Sequence, residues 1–388
     1  MILPLYHDHQ APPALPDGGH RGLWYDRFFD RYDDRDQWKI PDEGKAGWVK
    51  DNAKPTGDRD QLDQAAQRHL ALITALGGRG AVFQTDWHFA TGLGLPHPVE
   101  NGLAWHSTLG VPYLAGSGVK GLVRAWVEIW DESLGDPRSE QRQQRLDTWF
   151  GTLKQAGGFL FFDALPIEPV NLVADVMTPH LGKWYEQGGE IADWRREPDK
   201  IPADWHAPVP VPFLVAKKPK LLFGIAPRNK EFAAELDAVF AALKQALEWL
   251  GAGAKTAVGY GVMAEKPKDT EDLQQIAAAT EQRQREAARI QQQHVARQTE
   301  LEDMDPFERM LAETLGGRAD KGQTDIVYLI GLLKSGHWQG EDKQRVAQWL
   351  ERRMKDAKGQ WKPQSQAKKP EKDREHQNTL LVMSWLKD

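Results

Sequence analysis

The stretch VPYLAGSGVKGLVR, residues 111–124, indicates the fold of this chain more strongly than any other. A short apolar segment runs into the glycine-rich segment Gly116–Gly121, and a helical pattern follows over residues 122–130. Small residues before a helix let a phosphate group approach backbone N–H groups, which carry partial positive charge at that end. Lys120 and Arg124 add full charges nearby. On spacing alone, the stretch predicts either an anion-binding surface or a tight strand-to-helix turn with two solvated basic residues.

The segment Gly116–Gly121 also matches the glycine pattern of dinucleotide-binding proteins. That fold needs a second parallel strand after the helix, which ends in an acidic residue roughly 20 positions on. Residues 131–145 are polar and show no strand pattern, and Pro112 would remove a backbone donor from the supposed central strand. A P-loop is excluded because Lys120 precedes its glycine and no Gly-Lys-Ser/Thr sequence occurs. We therefore predict no nucleotide cofactor.

A second glycine segment, Gly251–Gly261, follows an amphipathic helical pattern and has Lys255 and Thr256 at its middle. A helix C-cap and a hairpin explain two of its four glycines. They leave Gly259 and Gly261 without a structural reason. Two such segments in one domain predict a surface that holds a phosphate backbone.

The remaining pattern up to residue 264 mixes short strands with helices. The sequence predicts strands within residues 81–89, 103–107, 158–164 and 213–225, a short strand at 262–263, and helices over 60–76 and 231–250. This order predicts an α+β fold with an antiparallel sheet. Residues 178–212 are rich in proline and lack a periodic pattern, which is typical of a functional loop or a binding arm.

Composition divides the chain into four segments. We predict an N-terminal extension and helix over residues 1–78, a core over 79–264, a helical linker over 265–302, and an all-helical region with a basic, flexible stretch over 303–388. The linker pattern has too few apolar positions for a coiled-coil seam, so a solvated helix is expected there.

Charge and composition limit the class of protein. The net charge is −6, and the acidic excess lies in residues 1–264, so a nucleic-acid site must be a local basic patch on an acidic body. The absence of cysteine excludes disulfides, thiolate zinc sites and a cysteine nucleophile. No apolar run reaches the roughly 18 residues of a membrane span, and no secretory signal is evident, so a cytoplasmic protein is expected.

The two glycine segments resemble those of a known family. Residues 112–124 resemble the signature of the RAMP superfamily of CRISPR-associated proteins, and Gly251–Gly261 resembles its glycine-rich loop. Further segments resemble subunit six of the type III-B Cmr effector complex: residues 91–98, 106–110, 161–164, 175–180 and 212–213. The resemblance covers about residues 80–264 and leaves both ends of the chain outside it.

The resemblance implies a ferredoxin-like or RRM-like core whose basic helix and glycine loop face a guide RNA. It also implies a non-catalytic subunit near the 3′ region of the guide, with target-RNA cleavage performed by its neighbours. The expected partners are guide RNA, target RNA where it is bound, and other Cmr subunits, without a membrane. The expected RNA-binding residues are Gly116, Ser117, Gly118, Lys120, Gly121, Arg124, Gly251, Gly253, Lys255, Thr256, Gly259 and Gly261.

Aromatic residues offer a second kind of RNA contact, because RRM-like modules stack bases on exposed sheet aromatics. The candidates are Trp87, Phe89 and Tyr260, for which core packing is the plainer interpretation. Guide binding must tolerate many sequences, so contacts to phosphates, sugars and base faces should outweigh contacts to base edges.

Histidine chemistry is the remaining catalytic option, because an imidazole titrates near neutral pH. The candidates are His88, His97, His106 and His180. None has a visible partner in the sequence, so we expect satisfied core or turn histidines and no catalytic residue. Asp163, Asp175 and His180 do not follow a recognised ligand spacing, so no metal site is expected and helix capping is the plainer role of the aspartates.

Three hypotheses follow from the sequence. The first is a non-catalytic, guide-RNA-binding subunit of a Cmr complex. The second is a stand-alone RAMP endoribonuclease that uses a histidine general base. The third is a protein–protein adaptor that caps a filament through residues 178–212 and the helical tail.

Overall fold

The computed structural model describes residues 14–33, 36–136, 138–318, 322–367 and 369–387. The strands are β1 (Pro55–Thr56), β2 (Arg79–Thr85), β3 (His88–Phe89), β4 (Phe159–Phe161), β5 (Leu165–Pro166), β6 (Val170–Met177), β7 (Val211–Lys217), β8 (Lys220–Pro227) and β9 (Met263–Glu265). The helices are α1 (Arg21–Arg27), α2 (Asp42–Asn52), α3 (Arg59–Ala75), α4 (Gly116–Ile129), α5 (Glu140–Phe150), α6 (Gly182–Gln187), α7 (Leu236–Trp249), α8 (Pro267–Asp303), α9 (Pro306–Gly316), α10 (Asp325–Lys334), α11 (Gly340–Asp356) and α12 (Arg374–Trp385).

The chain divides into two compact units, residues 1–281 and 282–388. Among the described residues, no helix is long and apolar enough to cross a membrane. Part of the expected N-terminal extension, residues 1–13, lies outside the described residues. The four-segment division expected from composition stays a prediction.

The first unit is built on an antiparallel sheet with the strand order β4–β8–β2–β9. Along the chain these elements run β2–α4–β4–β8–α7–β9, and β5 extends the line of β4 along β8. The first strand of this βαββαβ order therefore lies between the third and the fourth, which is the ferredoxin-like arrangement. The predicted α+β fold with a ferredoxin-like core, an antiparallel sheet and an appended helical region is confirmed.

Alternate residues of β2 face two helical layers, because successive side chains of a strand point to opposite faces. Ala81 and Phe83 belong to the large core that includes residues of α4 and α7. Val82 belongs instead to a smaller core with Leu70 of α3 and Leu273 of α8. The sheet is therefore covered on both faces.

A second antiparallel sheet has the order β1–β6–β7–β3. Its centre is the long hairpin of β6 and β7, and the expected arm leaves from the end of this hairpin. The arm is irregular apart from α6 and two short 3₁₀ turns, Gly188–Glu190 and Pro198–Lys200. Its loop-like character was predicted correctly, whereas α6 was not expected.

The single strand expected over residues 81–89 is broken. β2 ends at Thr85 and β3 begins at His88, and the two strands belong to different sheets. The hydroxyl of Thr85 accepts the backbone N–H of Trp87 at 3.2 Å, which bends the chain at the break. The alternation of side chains predicts extended backbone but does not indicate which sheet each part of it joins.

Two further boundaries differ from expectation. The strand expected over residues 103–107 reduces to one bridge between Trp105 and Pro112. Proline has no N–H for a longer ladder, which accounts for this. The helix expected from Leu122 begins at Gly116, so the glycine segment is the first part of α4 and not a loop before it.

The second unit contains the predicted small helical bundle. Helices α9, α10 and α11 bury a common core that includes Leu311, Leu329, Ile330, Leu333, Val346 and Leu350. Helix α12 completes it through Val382 and Trp385. The segment before α12 is irregular but attached, since Thr379 donates to the carbonyl oxygen of Gln360 at 3.3 Å and His376 Nδ1 lies 2.7 Å from that of Lys362.

Candidate nucleic-acid interface

Helix α4 begins against the edge strand β4. The backbone N–H of Gly116 donates to Asp163 Oδ1 at 2.6 Å, and Leu114 bridges to Ala164. A Cβ on Gly116 would lie only 2.3 Å from the carbonyl oxygen of Phe161, so this approach requires glycine. The N–H of Gly116 is therefore engaged within the protein. Asp163 caps the helix, as expected from its position.

The outer face of α4 carries the other predicted residues of this segment. Ser117, Gly118, Gly121 and Arg124 are exposed, and Lys120 is half-buried. Lys120 and Arg124 are one helical turn apart and project from one face. Arg124 Nε lies 3.7 Å from Glu128 Oε2, whereas no carboxylate of the described residues forms an ion pair with Lys120. This face offers two cations that can reach a phosphate.

The second glycine segment is a loop that hydrogen bonds fix on two sides. The N–H of Ala252 donates to the carbonyl oxygen of Gly261 at 2.8 Å, which closes the loop on itself. The N–H of Ala254 donates to the carbonyl oxygen of Ala90, and that of Gly261 donates to the carbonyl oxygen of His88, both at 2.8 Å. The loop is thereby attached to strand β3.

The glycines of this loop serve two different purposes. All four have positive φ. A Cβ on Gly261 would lie 1.8 Å from the carbonyl oxygen of Ala252, and one on Gly253 would lie 2.1 Å from that of Ala90. Nothing lies within 4 Å of a Cβ on Gly259, whose φ is +93°. Gly253 and Gly261 are needed for close packing, whereas Gly259 is needed only for its backbone conformation in an exposed turn.

Lys255 occupies the left-handed region at φ +59°. Its Nζ lies 5.6 Å from the ring centroid of Phe213 and 5.8 Å from that of Tyr260. Cation–π attraction to two rings holds the ammonium group at the surface of the loop. Thr256, the next predicted residue, begins a short 3₁₀ turn, Thr256–Val258.

The two predicted segments contact different parts of the core. Gly116 packs against β4, one edge strand of the ferredoxin-like sheet. The second segment leads into β9, the opposite edge strand, and is bonded to β3 of the other sheet. The sequence predicted that both segments form one surface for a phosphate backbone. That one RNA contacts both segments stays a prediction.

A buried polar group lies beneath the second segment. The hydroxyl of Tyr260 donates to Asp175 Oδ2, and the same oxygen lies 3.2 Å from His88 Nδ1. Burial, followed by the hydrogen bond to Asp175, raises the pKa of Tyr260, so that the phenol remains a donor. The sequence showed no partner for His88, because its partner is 87 residues away along the chain.

His97 and His106 hold local turns. His97 Nδ1 accepts the N–H of Val99 at 3.1 Å, its Nε2 lies 2.9 Å from the carbonyl oxygen of Tyr25, and its ring stacks on that residue. His106 Nδ1 accepts the N–H of Leu109 at 3.3 Å. Burial lowers the pKa of both histidines. The interpretation of these two as turn-stabilising histidines is confirmed.

The three aromatic candidates separate by exposure. Phe89 is fully buried and Tyr260 is 3% exposed, so both pack in the core, whereas Trp87 is 47% exposed. Two exposed neighbours of Trp87, Lys217 and Lys218, were not among the predicted site residues. Three lysines within residues 217–220 are the sequence signal by which they could have been found.

No cluster suited to a metal ion occurs among the residues that the structure describes. Of the two aspartates expected to cap, Asp163 accepts the N–H of Gly116, whereas Asp175 lies within β6 and accepts the hydroxyl of Tyr260 instead of capping a helix.

Comparisons with known proteins identify similar sequences and one similar structure. The model of the RAMP superfamily matches residues 72–264. The CRISPR system Cmr subunit Cmr6 of Pyrococcus furiosus is 28% identical over 253 residues, which are 51% of this chain and 71% of that protein. The Cmr6 subunit of Saccharolobus solfataricus is 33% identical over 86 residues, which are 22% of this chain and 27% of that protein. A chain in the structure of the type III-B Cmr-beta complex bound to cognate target RNA is 19% identical, with a TM-score of 0.43, and the match covers 63% of this chain and 79% of that one.

Proposed function

Because residues 72–264 of this chain belong to the RAMP superfamily, we propose that it is a non-catalytic subunit of a type III-B CRISPR Cmr ribonucleoprotein. In that complex it binds the guide RNA, toward its 3′ region, and neighbouring Cmr subunits in RNA-guided antiviral defence. One observation carries this proposal. The matched range contains both glycine segments, Gly116–Gly121 and Gly251–Gly261, and ends directly after the second.

The contacts to RNA are made mainly through phosphates and base faces. Lys120 and Arg124 lie on the exposed face of α4, and Lys255 lies on the loop that follows α7. Such cations attract the backbone without reading its sequence, which suits a guide that differs from one complex to the next. Because Asp163 occupies the N–H of Gly116, the contribution of α4 comes from its side chains and not from that amide.

The exposed aromatics of the arm support contacts with neighbouring subunits. Tyr185 is 77%, Trp194 58% and Trp205 66% exposed. Tyrosine and tryptophan are enriched at the centres of protein interfaces. The arm at the end of the β6–β7 hairpin is therefore the part of this unit that we assign to a neighbour.

One observation favours the second candidate function, a RAMP endoribonuclease. His88 and Asp175 form a histidine–carboxylate pair at 3.2 Å, the arrangement that orients a general base. Yet Asp175 also accepts the hydroxyl of Tyr260, and the side chain of His88 is only 13% exposed, which fits a structural pair better. Incubating the purified wild-type chain and a His88→Ala variant with guide-precursor RNA decides between them. Cleavage that depends on His88 would establish the enzyme.

The proposed function is tested by purifying the tagged chain from its native host. We expect other Cmr subunits and short RNAs that share a repeat-derived 5′ end. A double variant, Lys120→Gln with Arg124→Gln, should yield the same subunits but hold the RNA less tightly at rising salt, because two phosphate contacts are lost. A double variant with the exposed lysines changed, Lys154→Gln with Lys230→Gln, is the matched control. A lone chain without RNA would contradict the proposal.

A further inference from the structure

Trp87 is an exposed tryptophan whose position is fixed by its surroundings. It is 47% exposed, although Thr85 and Phe89, each two residues away along the chain, are buried. The ring of His88 stacks against it, with centroids 4.7 Å apart and planes 19° from parallel. The ring of Tyr260 meets it edge-on at 4.8 Å. The indole is thus held by two rings and keeps an open surface toward solvent.

The rings around Trp87 are themselves anchored. Asp175 accepts the hydroxyl of Tyr260 and lies 3.2 Å from His88 Nδ1. The carbonyl oxygen of Trp87 accepts the N–H of Lys218 at 2.8 Å, and the side-chain amide of Gln84 donates to the carbonyl oxygen of Lys218 at 3.1 Å. The orientation of the indole is therefore set before any ligand arrives, which lowers the entropy cost of binding.

Basic residues surround this tryptophan. Lys217 pairs with His88 in the second sheet, and Lys218 occupies the left-handed region at φ +49° in the turn between β7 and β8. Both are exposed, and no carboxylate of the described residues forms an ion pair with either. Lys255 Nζ lies 5.8 Å from the ring of Tyr260, which in turn meets Trp87 edge-on. The acidic side chain next to it in sequence is the exposed Asp86.

From this arrangement we infer that Trp87 is a stacking platform for one unpaired RNA base, with Lys217, Lys218 and Lys255 holding the adjoining phosphates. An aromatic face accepts any base, and basic side chains beside it follow the backbone, so the site is tolerant of sequence. The open face of the indole takes the base as the third member of a stack with His88. Lys255 belongs to the glycine loop, so this platform extends the proposed RNA surface onto the end of the second sheet.

The inference rests on the proposed function, because it needs RNA in the complex, and its test separates the two. The complex is purified from the native host through the tagged chain, and 2′-hydroxyl acylation is read along the bound RNA. The chain carries either the wild-type residue, Trp87→Ala, Trp87→Phe, or Trp130→Ala as a matched exposed tryptophan just beyond α4. Parallel samples hold the guide alone or the guide with a complementary target RNA.

We expect one nucleotide that is protected in the wild-type complex to become about tenfold more reactive in Trp87→Ala, as for the loss of one stacked base. Trp87→Phe and Trp130→Ala should keep its protection, and all variants should recover the same subunits. If the protected nucleotide is detected only in samples that contain the target RNA, the stacked base belongs to the target. If it is also detected with the guide alone, the base belongs to the guide. Equal reactivity in Trp87→Ala and the wild type overturns the platform alone, whereas a wild-type complex without RNA overturns the proposed function.

Discussion

Asp163 accepts the backbone N–H of Gly116 at 2.6 Å and so places a carboxylate of the protein at the N-terminus of helix α4. A carboxylate there satisfies one of the unpaired N–H groups and interacts favourably with the helix dipole. The start of α4 therefore has its own anion, and a phosphate would have to compete with it. In the proposed function, α4 therefore contacts RNA through Lys120 and Arg124 and not through the N–H of Gly116.

Removing this cap should destabilise the first unit. In an Asp163→Ala variant, the N–H of Gly116 loses its acceptor, and we expect the free energy of unfolding to fall by about 1 kcal/mol, as for other helix caps. Urea unfolding followed by tryptophan fluorescence measures the change. Asp86→Ala removes an exposed aspartate outside any helix and serves as the control. Equal stability of the two variants would show that the cap contributes nothing.

Two glycines of the second segment should respond differently to alanine. In Gly261→Ala, the new Cβ meets the carbonyl oxygen of Ala252, so the loop must move and more than about 3 kcal/mol of stability should be lost. In Gly259→Ala, nothing lies near the Cβ and only the positive φ is strained, which costs about 1 kcal/mol. Thermal melting of both variants provides the comparison. A larger loss in Gly259→Ala would contradict the observed packing.

Stability should decrease on mild acidification. Burial lowers the pKa of His69, His97 and His106 in the folded chain. As the pH falls, the unfolded chain therefore protonates its histidines before the folded chain does. The stability that the three neutral histidines contribute is fully present above the unfolded pKa of about 6.5 and is lost as the pH falls below it. Melting temperatures at about pH 7.5 and pH 5.5 measure this loss. His97→Gln should reduce the difference, whereas His294→Gln, at an exposed position of α8, should leave it unchanged.

The first turns of α8 should be required by the first unit. The hydroxyl of Thr270 accepts the N–H of Val82 at 2.9 Å, and Leu273 is buried against the smaller core. A chain that ends at residue 281 keeps both contacts, whereas one that ends at residue 266 loses them. We expect the shorter chain to be less stable by about 3 kcal/mol. Denaturant unfolding of the two truncated chains provides the test, and equal midpoints would refute this role of α8.

Local patterns were sufficient for the elements that carry strong periodicity. The helix expected over residues 60–76 is observed as α3, and that over 231–250 is observed as a 3₁₀ turn followed by α7. The strand region 213–225 is observed as β7 and β8. Each of these elements buries one face or lies wholly in the core, so the apolar residues of the local sequence show which side is buried. Helix α6, which was not expected, lies in the irregular arm, and its described residues bury none of their side chains, so no apolar periodicity marks it.

The amino-acid sequence by itself determined the fold class, the two glycine segments and the resemblance to the RAMP superfamily, because all three are carried by residue types in short segments of the chain. Tertiary structure alone decided which groups are free to act. It joined Asp163 to Gly116 and Asp175 to His88, over separations of 47 and 87 residues, and it buried Phe89 and Tyr260 while leaving Trp87 exposed. Hydrogen-bond partners and burial depend on segments that are distant in the chain, so they cannot be predicted from a local sequence pattern.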